Sequence, residues 1–489
     1  MHTPLSAWLA LSAAIIPGAT AFYPYHYAGD SGSSSQPSRR TSRPVSIDNA
    51  RLITLPLRRI PTSLQSRENV YQIVASNKPS QENSVAIDQD GKDLSYMVAV
   101  TFGDSKEEYH MLLDSAASNT WVMGQDCKSE ACKTHNLFGA GDSSSLKTDT
   151  KSFSITYGTG SSSGTLATDT VHLGSLSSPL TFGLATNVSD EFRAYPMDGI
   201  LGIGRGSGSD GDIHAPQIMD VLSSNRLINA KLYGIHLSRA KDGLKDGELD
   251  LGQVNPKRFT GDINYIDCVE NDTGFWEIPL QGASVDGADA GLSTAARTAI
   301  MDTGTSYILM PKDDAVAIHA KIKGQTQNGE AFFVPCDTTA VVQFGFNGQK
   351  YNISAADWIG DQVDQSKNLC RSNIVGRQTF GAHQWLVGDV FLKNVYSVFD
   401  FDKSRVGLGV VGGVETTSTD SSSSSSSPSS SPSSSASNVT AAATAPSTTS
   451  ASEKTPSEQR GGSGATATQT SSSSIVALVV ALAAISMYI

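Results

Sequence analysis

The chain has 489 residues, of which 38% are hydrophobic and 17% charged, with a formal net charge of -12. That acidity excludes a nucleic-acid backbone as the natural partner, and the apolar content excludes a chain that is disordered throughout. The length is sufficient for more than one compact lobe.

The first 21 residues read as a secretory signal peptide, with an apolar run from Leu5 to Ile16 followed by the small-residue cleavage pattern Ala19-Thr20-Ala21. Residues 22–86 carry 8 basic and 4 acidic residues, whereas 87–412 carry 26 basic and 40 acidic ones. A leader of charge +4 on a body of charge -14 predicts a basic prosegment held by charge. Its dibasic pairs, Arg39-Arg40 and Arg58-Arg59, suit a processing protease. Neither adjoins the body, so a second trim is expected between Val70 and Asp88.

The body, 87–412, consists of short alternating runs such as "YMVAVTFG", "SFSITYGTG", "TLATDTVHLG" and "YSVFDFDKSRVGLGVV", punctuated by Gly and Asn-Asp. Period-two alternation at this spacing predicts an all-β (mainly β) fold. The best helix candidates are "APQIMDVLSSN" and "DDAVAIHAKI". Beyond the body, 413–460 is a Ser/Thr/Pro-rich stretch with too little apolar surface to offset its ordering entropy, expected to be a disordered stalk. The end, 461–489, has small residues Gly461, Gly462 and Ser463, a polar spacer, and the apolar tail Ile475–Ile489, too short and too bare of basic flanks for a permanent span. This is the layout of a glycosylphosphatidylinositol (GPI) signal attached at Gly461, Gly462 or Ser463. N-glycosylation sequons stand at Asn187, Asn271, Asn352 and Asn438.

Five cysteines on a secretory route imply disulfides with one thiol left over. Cys127 and Cys132 could close a small loop, Cys336 and Cys370 a longer one, and Cys268 remains as a buried small residue. Neither H-E-x-x-H nor a C-x2-C pair occurs, so no metal and no cofactor are expected.

The body also contains itself twice. "LLDSAASNTWVM" is echoed by "IMDTGTSYILMP", which sets Asp114 and Asp302 188 residues apart. Each is followed at a matched distance by two apolar residues and Gly: Ile200-Leu201-Gly202, ending 88 residues on, and Leu386-Val387-Gly388, ending 86 residues on. A duplicated spacing predicts two homologous β lobes (87–255 and 256–412), each presenting one carboxylate on a turn. Two carboxyls brought together on a pseudo-twofold axis cannot both ionise and therefore share a proton; aspartic proteases, pepsin among them, are the standard case of this effect. One member then takes a proton from water while the other protonates a carbonyl oxygen.

These motifs, together with "ITYGTGSSSGTLATDTV", "DGILGIG" and "WLVGDVFLKNVYSVFDFDKSRVGL", resemble the pepsin family of aspartic endopeptidases, and the two chain ends resemble its fungal GPI-anchored members. The resemblance implies a bilobal fold with the cleft between the lobes, protein or peptide substrates, and activity at acidic pH in a monomer. It makes Asp114 and Asp302 the catalytic dyad, with the Ser115 and Thr303 hydroxyls tying the loops together beside Gly304 and Thr305. It places Tyr157, Gly158 and Thr159 on a flap, with Trp121 bonded to the flap tyrosine. The cleft side offers Leu112, Ile200 and Leu201, and Thr159 stands where relatives that accept Lys carry an acid, so the implied preference is apolar.

The first loop departs from the family's usual D-T-G-S or D-S-G-S. Ala116 replaces Gly, which is strained if the position needs positive φ, and Ala117 replaces a hydroxyl donor. Two other readings compete: a pepsin-like binding protein inactivated through Ala116, and a Ser-rich component of the cell surface. Gly160-Ser161-Ser162-Ser163-Gly164 fits G-x-S-x-G, but the β-patterned run after it predicts a hairpin tip and not a nucleophile elbow.

Overall fold

A computed structural model describes residues 69–206 and 213–411. The signal peptide, most of the leader, the stalk, Asn438 and the C-terminal tail lie outside the described residues. The body is mainly β, and each half is built on a sheet that ends in one of the two aspartates.

In the first half an eight-stranded sheet runs in the order Asp88–Gln89, Tyr96–Phe102, Tyr109–Asp114, Gly199–Gly202, Trp121–Met123, Leu176–Val188, Gly160–Leu173, Lys147–Tyr157. Tyr109–Asp114 and Gly199–Gly202 are parallel, with Asp114 opposite Gly202. In the second half the order is Glu277–Leu280, Arg297–Met301, Gln384–Val387, Ile308–Leu309, Ile374–Val375. Here Arg297–Met301 runs parallel to Gln384–Val387, and Asp302 N–H donates to Val387 O at 3.0 Å.

The repeated apolar-apolar-Gly pattern has a steric origin. A Cβ on Gly202 would lie 2.5 Å from Asn119 O, and one on Gly388 would lie 2.0 Å from Thr305 O. In both halves the chain leaving the aspartate turns back over this strand, and only glycine leaves room.

A six-stranded sheet draws on both halves: Ser84–Ala86, Glu248–Leu251, Leu232–His236, Val395–Asp400, Arg405–Val410, Thr260–Asp267. Residues ahead of Ile87 are thus packed on the body. Ser84 Oγ donates to the buried Asp250 at 2.5 Å, and Gln81 Nε2 reaches the same carboxyl at 3.1 Å. The two helices expected from periodicity form at Ile218–Ser224 and Lys312–His319, and two four-residue helices, Ala355–Trp358 and Asp389–Leu392, join them. The main core gathers Val98, Met111, Leu113, Phe182, Trp276, Trp385 and Phe399 among others, and a smaller cluster around Trp121 lies beneath the hairpin Lys147–Leu173.

Disulfides join Cys127 to Cys132 and Cys336 to Cys370, and Cys268 keeps a free thiol that burial pushes up to about 11. Asn187 is exposed, while the Asn271 amide already donates to Val269 O and Phe275 O. Asn352 is half-buried, its amide oxygen accepting from Gln343. Gly160–Gly164 opens the second strand of the hairpin, not a strand-to-helix turn, which disposes of the hydrolase elbow. Among the described residues no helix is long and apolar enough to cross a membrane.

Candidate active site

Asp114 and Asp302 close their strands and are fully buried. Each loop turns its own backbone N–H groups onto its carboxylate. Ala116 and Ala117 donate to Asp114 Oδ1 at 2.9 and 2.8 Å, and Gly304 donates to Asp302 Oδ1 at 2.8 Å. Asp302 Oδ2 also accepts the Thr305 hydroxyl at 2.5 Å. Asp114 Oδ2 receives no backbone or hydroxyl donor.

The loops are laced together by a reciprocal exchange. Thr303 N–H donates to Ser115 Oγ and Ser115 N–H to Thr303 Oγ1, both at 3.0 Å, while the two hydroxyls donate onward to Met301 O and Leu113 O at 3.0 and 2.6 Å. Every donor of this grip is used, which fixes the distance between the acids. The charge of Asp302 bears directly on Asp114, and Asp114 Oδ2 is left buried without a hydrogen-bond partner.

Burial raises both above the ordinary carboxylate range. For Asp114 the next cause is the charge of Asp302, while the Thr305 hydroxyl and Gly304 N–H pull Asp302 back down. Any proton released or taken up here is a property of the pair, not of either residue. Burial and mutual charge oppose the ionisation of both acids together, an arrangement suited to simultaneous general-acid and general-base work.

Ala116 is not among the residues with positive φ, so the methyl brings no backbone strain. The matching position of the second loop has no such latitude, because a Cβ on Gly304 would lie 2.6 Å from Asp114 Cγ.

In the hairpin Lys147–Tyr157/Gly160–Leu173, Tyr157 pairs with Gly160 and Gly158-Thr159 form the tip. Trp121 Nε1 donates to the Tyr157 hydroxyl at 2.6 Å, and both side chains are buried. Leu112 and Ile200 pack into the same apolar cluster as Trp121 and Tyr157. Leu201 does not. It belongs to the main core with Leu113 and Val122, because consecutive residues of a strand point to opposite faces.

Three further members of this buried cluster, Ile155, Met197 and Phe192, were not singled out by the sequence. Phe192 sits in the 3-10 turn Asp190–Ala194 and meets Trp121 and Tyr157 edge-on, with ring centroids 5.4 and 6.2 Å apart. The only signal for it was an aromatic residue in a polar run just ahead of "DGILG". Among the described residues no group of three or more His, Cys, Asp or Glu could hold a metal ion.

Two buried aspartates on mirrored, mutually bonded loops of a mainly β body are the features of an aspartic-type hydrolase. The chain belongs to the eukaryotic aspartyl protease family, whose model matches residues 95–411. It is 39% identical over 405 residues to the aspartic-type endopeptidase ctsD of Aspergillus fumigatus, covering 79% of this chain and 83% of that one. It is also 30% identical to cathepsin D of Dictyostelium discoideum, over 73% of this chain and 94% of that one. Pepsin A of Sus scrofa is 31% identical over 65% of this chain and 82% of its own length.

Proposed function

We propose that Asp114 and Asp302 are the catalytic pair of this aspartic endopeptidase and that it cleaves beside apolar residues at acidic pH. The observation that carries the reading is the burial of two carboxyls on loops that exchange reciprocal hydrogen bonds through Ser115 and Thr303 and aim backbone N–H donors at each acid. In the singly protonated pair, the ionised carboxyl takes a proton from water as its oxygen adds to the scissile carbonyl carbon. The protonated carboxyl gives its proton to the carbonyl oxygen. Collapse of the resulting diol breaks the C–N bond, a proton passes to the leaving nitrogen, and the pair returns to one shared proton. Ala116 and Ala117 retain the N–H donors this chemistry uses, which argues against an inactive binding protein.

The subsite wall of Leu112, Trp121, Tyr157, Phe192, Met197 and Ile200 carries no charge, and Thr159 at the hairpin tip adds none. Burying an unpaired Lys there would cost several kcal/mol, so Leu or Phe is preferred. Digestion of denatured globin at acid pH, blocked by a pepstatin-type inhibitor, tests the activity, and a peptide library tests the preference. Lys or Arg favoured at that subsite would overturn the latter.

The apolar N-terminus, the sequons and the layout of 413–489 support a secreted, glycosylated zymogen, monomeric and GPI-anchored at the cell surface, with part of it released. Phosphatidylinositol-specific phospholipase C should free the protein from membranes. Protein that stayed membrane-bound after that treatment would refute the anchor.

A further inference from the structure

Asn69–Val74 lies ahead of the family match at 95–411 and falls in what the sequence marks as leader. It is nevertheless fastened to the loops that carry the apolar subsite. Asn69, Tyr71 and Ile73 are half-buried while Val70 and Gln72 are exposed, the parity of an extended segment laid on a surface. Asn69 Nδ2 donates to Pro196 O at 2.5 Å and to the buried Asp198 Oδ1 at 3.0 Å, and its N–H donates to Asn136 Oδ1 at 2.9 Å. The Tyr71 hydroxyl donates to Arg193 O, inside the 190–194 turn. Its ring stacks on His135 at 5.0 Å between centroids. His135 in turn contacts Ala131 O and Tyr195 O at 2.6 and 2.7 Å, so the Tyr71 ring covers the joint between that turn and its neighbour, Ala131–Thr134. Ile73 packs against the subsite cluster, and Val74 and Gln89 exchange both backbone bonds at 2.8 and 3.1 Å.

The 190–194 turn is held from its other side by the hairpin just beside its tip. Ser161 N–H donates to Ser189 Oγ at 2.8 Å, and Ser189 N–H to Ser161 O at 3.0 Å. Gly160, at φ +120°, approaches so closely that a Cβ would lie 2.6 Å from Ser189 Oγ and 3.0 Å from the Phe192 ring. Phe192 therefore stands between two clamps, the hairpin near its tip and the segment Asn69–Tyr71.

We propose that Asn69–Val74 stays with the mature enzyme as a permanent brace, with Asn69 and Tyr71 as positioning residues that hold Phe192 in the apolar subsite. The maturing hydrolysis, in which water adds across one backbone C–N bond to leave a carboxylate and an amine, then falls ahead of Asn69 and not between Val70 and Asp88. This rests on the peptidase reading of the cleft.

The test has two arms on the full-length secreted protein. N-terminal sequencing of the active enzyme should find a chain that begins at or before Asn69; an active enzyme that begins after Val74 overturns the brace. In the second arm, Asn69→Ala, Tyr71→Ala and Tyr71→Phe are compared with wild type on two peptides that differ only in Phe or Ala before the scissile bond. Each alanine variant should raise KM for the Phe peptide by about tenfold, the scale of one hydrogen bond plus one aromatic contact, with kcat nearly unchanged. The Ala peptide should respond little, and Tyr71→Phe, which keeps the stack, should recover part of the loss. Equal effects on both peptides, or none, would overturn the positioning role. A wild-type enzyme that cleaved neither peptide would break the peptidase reading, and the N-terminal sequence would still decide the brace.

Discussion

The two aspartate loops, proposed above to be catalytic, hold their carboxylates with different residues. Asp302-Thr303-Gly304-Thr305 feeds its acid with one backbone N–H and one hydroxyl, whereas Asp114-Ser115-Ala116-Ala117 uses two backbone N–H groups and no hydroxyl. What the loops share is therefore the turn that aims backbone donors at the carboxylate, plus the grip between positions 115 and 303. The glycine is required on one side only, where Gly304 lies against Asp114. A loop that reads as damaged in the sequence keeps its backbone donors to the carboxylate.

The largest effect should come from removing either acid. Asp114→Asn and Asp302→Asn should each lower kcat by about a thousandfold or more with little change in Tm, because the pair acts as a unit. A folded Asp114→Asn enzyme with most of its activity would end the equivalence of the loops.

Next is the glycine asymmetry. Gly304→Ala pushes a methyl into Asp114 and should cost about a hundredfold in kcat, the scale of a misplacement near 1 Å. Ala116→Gly should leave kcat close to wild type and cost about 0.4 to 1 kcal/mol of stability through the freer unfolded chain. Comparable kcat losses in both variants would show that the methyl of Ala116 is part of the site.

The grip should prove symmetric. Ser115→Ala strands the buried Thr303 N–H and Thr303→Val strands that of Ser115, each at about 1 to 3 kcal/mol in urea unfolding. Clearly unequal losses would mean that one loop anchors the other.

The smallest effect is the most informative about the missing hydroxyl. A donor to the charged form lowers a pKa, so Ala117→Ser should move the acid limb of kcat/KM to lower pH, and Thr305→Ala should move it upward. A full hydrogen bond to a charged group would give ~1 to 2 pH units, and partial replacement by water reduces the expected shift to about half to one. A limb that stayed put in Ala117→Ser would show that the two backbone donors already satisfy Asp114.

The repeat made the fold and the acids legible, since two aspartates and two glycines at matched offsets are local patterns with one steric explanation. Leu201 was misread because both faces of its strand are buried, and an apolar pair then carries no mark of which residue faces the cleft. Phe192, Met197 and the Asn69–Tyr71 contacts were invisible because they arise where segments distant in sequence cross, through backbone carbonyls such as Pro196 O and Arg193 O that no side-chain pattern reports.

The six-stranded sheet bears on how the protein comes off the ribosome. Its edge strand, Ser84–Ala86, is among the earliest parts of the body to be made, while Val395–Asp400 and Arg405–Val410 are the last. Leu232–His236 lies between Glu248–Leu251 and Val395–Asp400, so it has one neighbour soon after synthesis and must wait for the other until translation is almost finished. The first half therefore spends most of its synthesis with an open strand edge, a template for wrong pairing at the stage when nascent chains are most crowded. Closure of that edge makes the last strands of the body the step that completes the first half.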